Sequence, residues 1–551
     1  MGNIEQGFDY VVVGAGTAGC ALAARLAEDR ARTVCLIEAG DSVKRAVVDI
    51  PAAIVMAQRS EALNWGFRTV PQARLDNRPI PAPRGRGLGG SALINGMVYF
   101  RGNPRDYDDW ARAGASGWSY REVLPYFRRS ENNENFGSSQ YHGRGGPMNV
   151  RRVTHPNPLN FAFLDALASL GFPAREDLNG EDTEGAALRQ LSIRGGARET
   201  TASAMLRPAL ERNQLVALTR THAMRIVLER GRAVAVEARA AAGTIRVRAH
   251  REIVLCAGSF QSPQLLLLSG IGDAEHLGAV GIEVQHHLPG VGRNLHDHLA
   301  SPVHMSTAHP SSYGISARAM PRNLANIAEY LLARRGPIAN NIFESAAFVK
   351  TLPGLDRPDV QLVFQPAKRP GASFPFPIGH GFAVSPVGLY PRSRGRVTLA
   401  SKDPFAAPLI DPNLLAVPQD IEPVIRGMRL ARQVFAATAF ERYRAREVAP
   451  GESARSDADL AAYVRASAYT VHHPVSTCRM GNDPTAVVDR ELRVIGIEGL
   501  RVADASVFPS IIGGNTNAPV VMVAEKAADM ILGRPPLAPA VLEERGAPRA
   551  S

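Results

Sequence analysis

Apolar and polar positions along the chain fall into two textures. Residues 10–13 (YVVV) form an unbroken apolar, β-branched run, the pattern of a strand buried on both faces of a parallel sheet, and the run stops at Gly14. A helix is expected from about Thr17, and a second apolar run at 33–37 ends on Glu38. Strand-like runs of the same kind return late, at 252–257 (EIVLCA) and 500–503 (LRVA), so one sheet is assembled from distant segments. Residues 156–199 and 301–451 read differently. Alternation at 359–364 (DVQLVF) and 396–400 (RVTLA) predicts strands of an antiparallel sheet, with helical patterns at 421–435 and 458–466. The expected fold is α/β plus α+β: a parallel-sheet domain from 1–155, 200–300 and 452–551, and a second, antiparallel-sheet domain from 156–199 and 301–451. Stretches 309–322 and 370–380, rich in Pro, Gly and Ser, read either as lids over a pocket or as surface loops, and the tail 534–551 is expected to fray.

Size and charge narrow the picture. At 551 residues the chain is too long for one core, so two domains are expected. Sixty-three basic residues against 52 acidic ones give a net charge of +11, which raises the question of a nucleic-acid or anionic-surface partner. The distribution argues against one. Lys44, Lys350, Lys368, Lys402 and Lys526 are the only lysines, and the arginines stand singly rather than in runs with interleaved aromatics. Cys20, Cys35, Cys256 and Cys478 lie far apart with no C-x-x-C pair, so they read as small core residues, not as a disulfide framework or a zinc site. The opening MGNIEQGFDY has no basic n-region, and no apolar run is long enough for a transmembrane helix, so a cytoplasmic location is expected.

The turn between the first strand and helix carries the first chemistry. Gly14 permits a tight turn, Gly16 lets backbone approach a pyrophosphate with no Cβ in the way, and Gly19 lets the helix pack closely on the sheet. The helix beginning at Thr17 and Ala18 aims its free N–H groups at the phosphates. Glu38, followed by Ala39, is placed to accept hydrogen bonds from a ribose hydroxyl and disfavours a 2′-phosphate. These features define a Rossmann-like dinucleotide unit and leave NAD and FAD both open.

Further motifs stand downstream: 83–102 (PRGRGLGGSALINGMVYFRG), 258–272 (GSFQSPQLLLLSGIG, with Pro263 at what reads as a helix start), 290–298 (GVGRNLHDH), 473–481 (HPVSTCRMG) and 503–529 (ADASVFPSIIGGNTNAPVVMVAEKAAD). Together with the Gly-loop they resemble the glucose–methanol–choline (GMC) family of FAD-dependent oxidoreductases, over about residues 9–532. The resemblance implies FAD in the Gly-loop domain and substrate on the flavin face against the antiparallel sheet. It implies that Gly14, Gly16 and Gly19 hold the pyrophosphate and Glu38 the ribose. Arg84, Leu88, Gly89, Asn95, Met97 and Val98 would line the pyrophosphate and isoalloxazine region, Ala223 the adenine, and Asp504, Ala505 and Thr516 the C-terminal side. Isoleucine at position 94, where covalently flavinylated members carry histidine, implies non-covalent FAD, and Gly90, Ser91, Ala92 lack one hydroxyl of the family's GGSS.

Flavin-dependent alcohol oxidation needs a base for the hydroxyl proton and a hydrogen-bond donor on the same oxygen, and an imidazole, with a reference pKa of about 6.5, suits the first task. The family pattern places the base on His473 and its partner on Asn517. Neighbouring residues of an extended segment point opposite ways, so only one of His472 and His473 is expected to face the flavin, with His472 either pocket wall or packing. His296 and His298, flanking Asp297, read as a structural turn rather than a metal cluster. Glu344 aligns with a carboxylate that choline-type members use for a quaternary ammonium, although an internal hydrogen bond or salt bridge is the preferred reading. The implied reaction is oxidation of a primary alcohol to an aldehyde, with oxygen, a quinone or another carrier as acceptor. The alternatives are a cationic, choline-like alcohol, or a redox-neutral relative such as a hydroxynitrile lyase.

Overall fold

The computed structural model describes residues 4–42, 46–212, 215–368, 378–443 and 445–543. Ile4–Val13 is the hub of a seven-stranded sheet. On one side lie Val34–Ile37 and then Val216–Leu218; on the other lies Gly243–Leu255, whose far end pairs with Leu500–Val502, and all of these pairings are parallel. His222–Glu229 and Arg232–Ala240 extend the sheet antiparallel from the first half of Gly243–Leu255. Helices Thr17–Leu26 and Asn517–Leu532 pack together against it, joining the two ends of the sequence. This cover explains the unbroken apolar run: Val11, Val12, Leu36 and Leu255 are fully buried, with no solvated face for a polar residue.

The second sheet has eight antiparallel strands, with a central order of Arg446–Ala449, Val303–Thr307, His380–Gly388, Val360–Gln365, Ser345–Val349 and Gly185–Leu188. Helices Pro158–Ser169 and Glu422–Ala436 cover one face through a separate core, in which Phe163 stacks on Phe364 and Phe440 packs on Phe382. The strand expected at 396–400 forms as Gly395–Thr398, but in a separate three-stranded sheet with Arg293–Leu295 and Leu409–Asp411. Tyr469–Thr470 pairs with Leu299–Ala300 and so ties the chain just before the two adjacent histidines to the second sheet.

Three local expectations change. Pro263 lies inside helix Gly258–Leu268 rather than at its start; the Ser259 carbonyl that a proline ring cannot partner accepts Thr477 Oγ1 at 2.7 Å instead. The tail is anchored as far as 543: Leu537 N donates to Tyr126 Oη at 3.1 Å, Ala540 N to Arg121 O at 2.7 Å and Glu543 N to Gln140 Oε1 at 2.8 Å. A helix, Met320–Ala333, begins within the 309–322 stretch, and residues 370–377 of the other Pro-rich stretch lie outside the described residues. All four cysteines are free and buried. Among the described residues no helix is long and apolar enough to cross a membrane, and no His, Cys, Asp and Glu group could hold a metal ion.

Candidate active site

One cavity of about 520 Å³ runs between the two sheets, from the Gly-loop to the adjacent histidines. Its cofactor end is built as a backbone cradle. Gly14 turns at φ 98°, and a Cβ on Gly19 would stand 1.8 Å from the Gly14 carbonyl oxygen, so the helix start is pressed against the loop. A Cβ on Gly16 would meet nothing nearer than Cys256 O at 3.9 Å, and this residue lines the cavity together with Thr17 and Ala18. A bare backbone edge at a helix N-terminus fits a pyrophosphate.

Glu38 and Ala39 line the same end. Ala15 N donates to Glu38 Oε2 at 2.9 Å, and Gly40 N and Gly87 N donate to Oε1 at 2.7 and 3.0 Å. Three donors on a carboxylate with about four acceptor directions leave one for a ribose hydroxyl. Burial raises the Glu38 pKa against the opposing pull of these N–H groups.

Arg84, Asn95, Met97, Val98, Ala223, Asp504, Ala505 and Thr516 all line the cavity. Arg84 donates from Nε to Pro83 O at 2.6 Å and from Nη2 to His472 O at 2.8 Å, and Asn95 Oδ1 accepts Met97 N at 2.9 Å. Asp504 is a structural anchor, accepting Gly258 N, Ser262 Oγ and Ser506 N. Leu88 and Gly89 stand behind the wall, with Gly89 N donating to Ala15 O at 2.8 Å, while Gly85 and Gly90 reach the cavity in their place.

At the other end His473 is fixed on three sides. Its backbone N donates to Asp297 Oδ1 at 2.7 Å, its Nδ1 lies 3.0 Å from His298 Nδ1, and its Nε2 lies 3.1 Å from Asn515 Nδ2. His298 Nε2 is 2.9 Å from Leu389 O, which only accepts, so that nitrogen carries a proton. A neutral His298 then presents a bare Nδ1, the shared proton belongs to His473 Nδ1, and His473 Nε2 keeps its lone pair. Burial first, then the neighbouring His298, His472, Arg84 and Arg189, holds the His473 pKa well below 6.5, and burial pushes His298 down to about 4. Asp297 also accepts His298 N at 2.8 Å, and burial pushes its carboxyl up to about 7.

Asn515, not Asn517, therefore faces the imidazole. Asn517 opens helix Asn517–Leu532 and its Oδ1 accepts Thr17 Oγ1 at 2.9 Å, clamping the C-terminal helix to the Gly-loop helix. The two asparagines lie two residues apart at the start of a helix, and the sequence spacing alone does not separate them. Adjacent histidines also behave differently from expectation. His472 adopts φ 66°, a left-handed bend rather than extended backbone, so both His472 and His473 line the cavity. Burial and the Arg84 charge push His472 down to about 3.

Glu344 is outside the cavity. Its carboxylate accepts Asn157 N at 2.9 Å, Asn160 Nδ2 and, at 2.7 Å, Tyr313 Oη, and burial pushes its pKa up to about 7. His296 is structural but not in a turn: it forms an antiparallel bridge with Val475, and its ring is bonded to Ser476 Oγ at 3.0 Å. His298 and Asp297, read from sequence as structural alone, are the groups that orient His473. The signal for them was the NLHDH motif itself.

A cavity between a Gly-loop sheet and an antiparallel sheet, closed by a neutral histidine and an amide, defines a nucleotide-cofactor oxidoreductase. Residues 8–300 match the N-terminal GMC oxidoreductase family model and 391–524 the C-terminal one. The chain belongs to the GMC oxidoreductase family, and it is an FAD-dependent enzyme acting on CH–OH donors. It is 44% identical over 532 residues to the oxygen-dependent choline dehydrogenase of Sinorhizobium medicae (96% of each chain). It is 38% identical to the alcohol dehydrogenase [acceptor] of Pseudomonas putida (95% of this chain, 96% of the relative). Among solved structures, pyridoxine 4-oxidase from Mesorbium loti superposes with a TM-score of 0.86 at 33% identity, covering 96% of this chain and 99% of that one. Aspergillus oryzae formate oxidase gives 0.88 at 27% identity, covering 97% of this chain and 99% of that one.

Proposed function

We propose that the chain oxidises a primary alcohol to its aldehyde with His473 Nε2 as the base and the Asn515 amide holding the alcohol oxygen. The supporting observation is the 3.1 Å pairing of His473 Nε2 with Asn515 Nδ2 inside the cavity, where a hydroxyl inserted between the two would give its proton to one and accept a hydrogen bond from the other. What FAD supplies when bound is a two-electron, hydride-accepting centre for the carbinol carbon. Asp297, by taking the backbone N–H groups of His298 and His473, holds the two imidazoles in line, and His298 keeps the His473 proton on Nδ1. Asn515 stabilises the alkoxide character that grows as the hydroxyl proton leaves. Gly14, Gly16, Thr17, Ala18 and Glu38 hold the dinucleotide, and Asn517 serves the fold through Thr17.

The test is anaerobic flavin bleaching by a panel of primary alcohols, followed by reoxidation with air and with a quinone to assign the acceptor. Bleaching by none of the panel, with lyase activity on a cyanohydrin, would replace this reading with the redox-neutral one. A choline-like alcohol is the alternative that the choline dehydrogenase relatives favour, and since Glu344 stands outside the cavity, bonded to Asn157, Asn160 and Tyr313, such a substrate would be held there by other groups.

A further inference from the structure

The buried arginines around the cavity are not equivalent. Arg84 donates to the carbonyls of Pro83 and His472, and Arg198 donates to those of Val48, Ala92 and Asn95. Arg189 makes no side-chain hydrogen bond or ion pair within the described residues, its Nη2 is buried without any partner, and the residue is only 6% exposed. It stands between strands Gly185–Leu188 and Gln190–Leu191, on the wall contributed by the second sheet, and its own N–H is spent on Glu344 O at 2.8 Å. It lines the same cavity as His473 and Asn515.

Among the described residues no acid is paired with it. Among the described residues the carboxylates lining the cavity are Glu38 and Asp504, and both are engaged by backbone N–H groups of the cofactor half. Burial pulls the Arg189 pKa down to about 9 with no charge opposing the shift, which still leaves the guanidinium charged at neutral pH. A buried, charged fork of donors without a counter-ion is stable only if something anionic arrives with the ligand.

We propose that Arg189 binds a carboxylate carried by the substrate, so that the alcohol oxidised is a hydroxy acid whose hydroxyl lies at His473 and Asn515. This rests on the alcohol-oxidation reading and deepens it. The acid group takes no part in the electron bookkeeping: the hydroxyl proton goes to His473, the carbinol hydride to FAD, and the carboxylate leaves unchanged on the aldehyde product.

The test compares matched pairs on the holoenzyme by anaerobic flavin reduction: para-(hydroxymethyl)benzoate with para-methylbenzyl alcohol, and γ-hydroxybutyrate with n-butanol. Each acid is expected to exceed its neutral partner in reduction rate per unit concentration by about tenfold or more, as a charge-assisted bidentate pair is worth. Arg189→Met should collapse that ratio and Arg189→Lys should keep part of it. Benzoate, which cannot be oxidised, should perturb the wild-type flavin spectrum where benzamide does not. Neutral partners reducing the wild-type flavin as well as the acids, or a preference that survives Arg189→Met, would overturn the proposal. If no alcohol bleaches the flavin, the oxidation reading fails, and benzoate against benzamide still decides Arg189; the same titration decides it if Arg189→Met loses its FAD.

Discussion

His298 Nδ1 lies 3.0 Å from His473 Nδ1, and the other nitrogen of His298 lies 2.9 Å from the Leu389 carbonyl. A fixed acceptor at one end of a two-imidazole chain thus decides which nitrogen of the second imidazole is free to take a proton. His298→Ala removes that constraint without touching the reacting atoms. We expect flavin reduction to slow by about ten- to a hundredfold, as loss of an orienting partner does elsewhere, against roughly a hundred- to ten-thousandfold for His473→Ala. Anaerobic stopped-flow on the two variants checks the order; equal losses would mean that His298 acts as more than a positioning residue.

The two asparagines should separate cleanly. Asn515→Ala is expected to lower the rate of flavin reduction by about a hundred- to a thousandfold, the range for removing one donor to a developing oxyanion, with FAD still bound. Asn517→Ala removes the acceptor of Thr17 Oγ1 and is expected to act on FAD retention and melting temperature instead. A near-normal reduction rate in Asn515→Ala would return the role to Asn517.

The pH profile of reduction follows from the burial of His473. A base works unprotonated, and this imidazole is held well below 6.5, so the rate should stay flat from neutrality down past pH 6.5 and fall only at more acid values. A midpoint at or above 6.5 would show that the imidazole pKa is not lowered in the working enzyme.

Glu344 should reveal itself in stability. Its folded pKa of about 7 lies above the ordinary 4.5, so the folded state holds a proton that the unfolded chain has already lost. The stabilisation is present below pH 4.5 and is lost as pH rises through about 7, a change on the order of 3 kcal/mol. Urea unfolding across this window should show a shallower decline for Glu344→Gln than for the wild type. Choline, moreover, should bleach the flavin more slowly than its uncharged carbon isostere; the reverse order would place a carboxylate at the substrate after all.

Thr477→Val leaves the Ser259 carbonyl, already deprived of its helical partner by Pro263, without a donor. A loss of roughly 1–3 kcal/mol by denaturant unfolding is expected, and an unchanged midpoint would mean that water replaces the hydroxyl.

Much of this was legible in the chain because it rests on local, periodic constraints. A four-residue apolar run bounded by glycine at 14 can only be a covered strand, and glycines at 14, 16 and 19 have one common use, so the cofactor cradle and both sheets were readable, as was His473 through the motif around it. Readings failed where a single backbone angle or a long-range partner decides. The left-handed bend at His472 cancels the alternation that two adjacent residues would show in a strand, and Thr477 lets Pro263 sit inside a helix.

By itself the sequence determined the fold class, the cofactor and the family, since each is written in residues close together in the chain or in a repeating pattern of burial. Only the tertiary structure decided which asparagine meets His473, which histidine orients it, and that Arg189 lines the same cavity with no side-chain partner among the described residues. Those are distances between segments up to hundreds of residues apart, such as the 175 positions separating His298 from His473, and they are set by how two sheets close on one cavity.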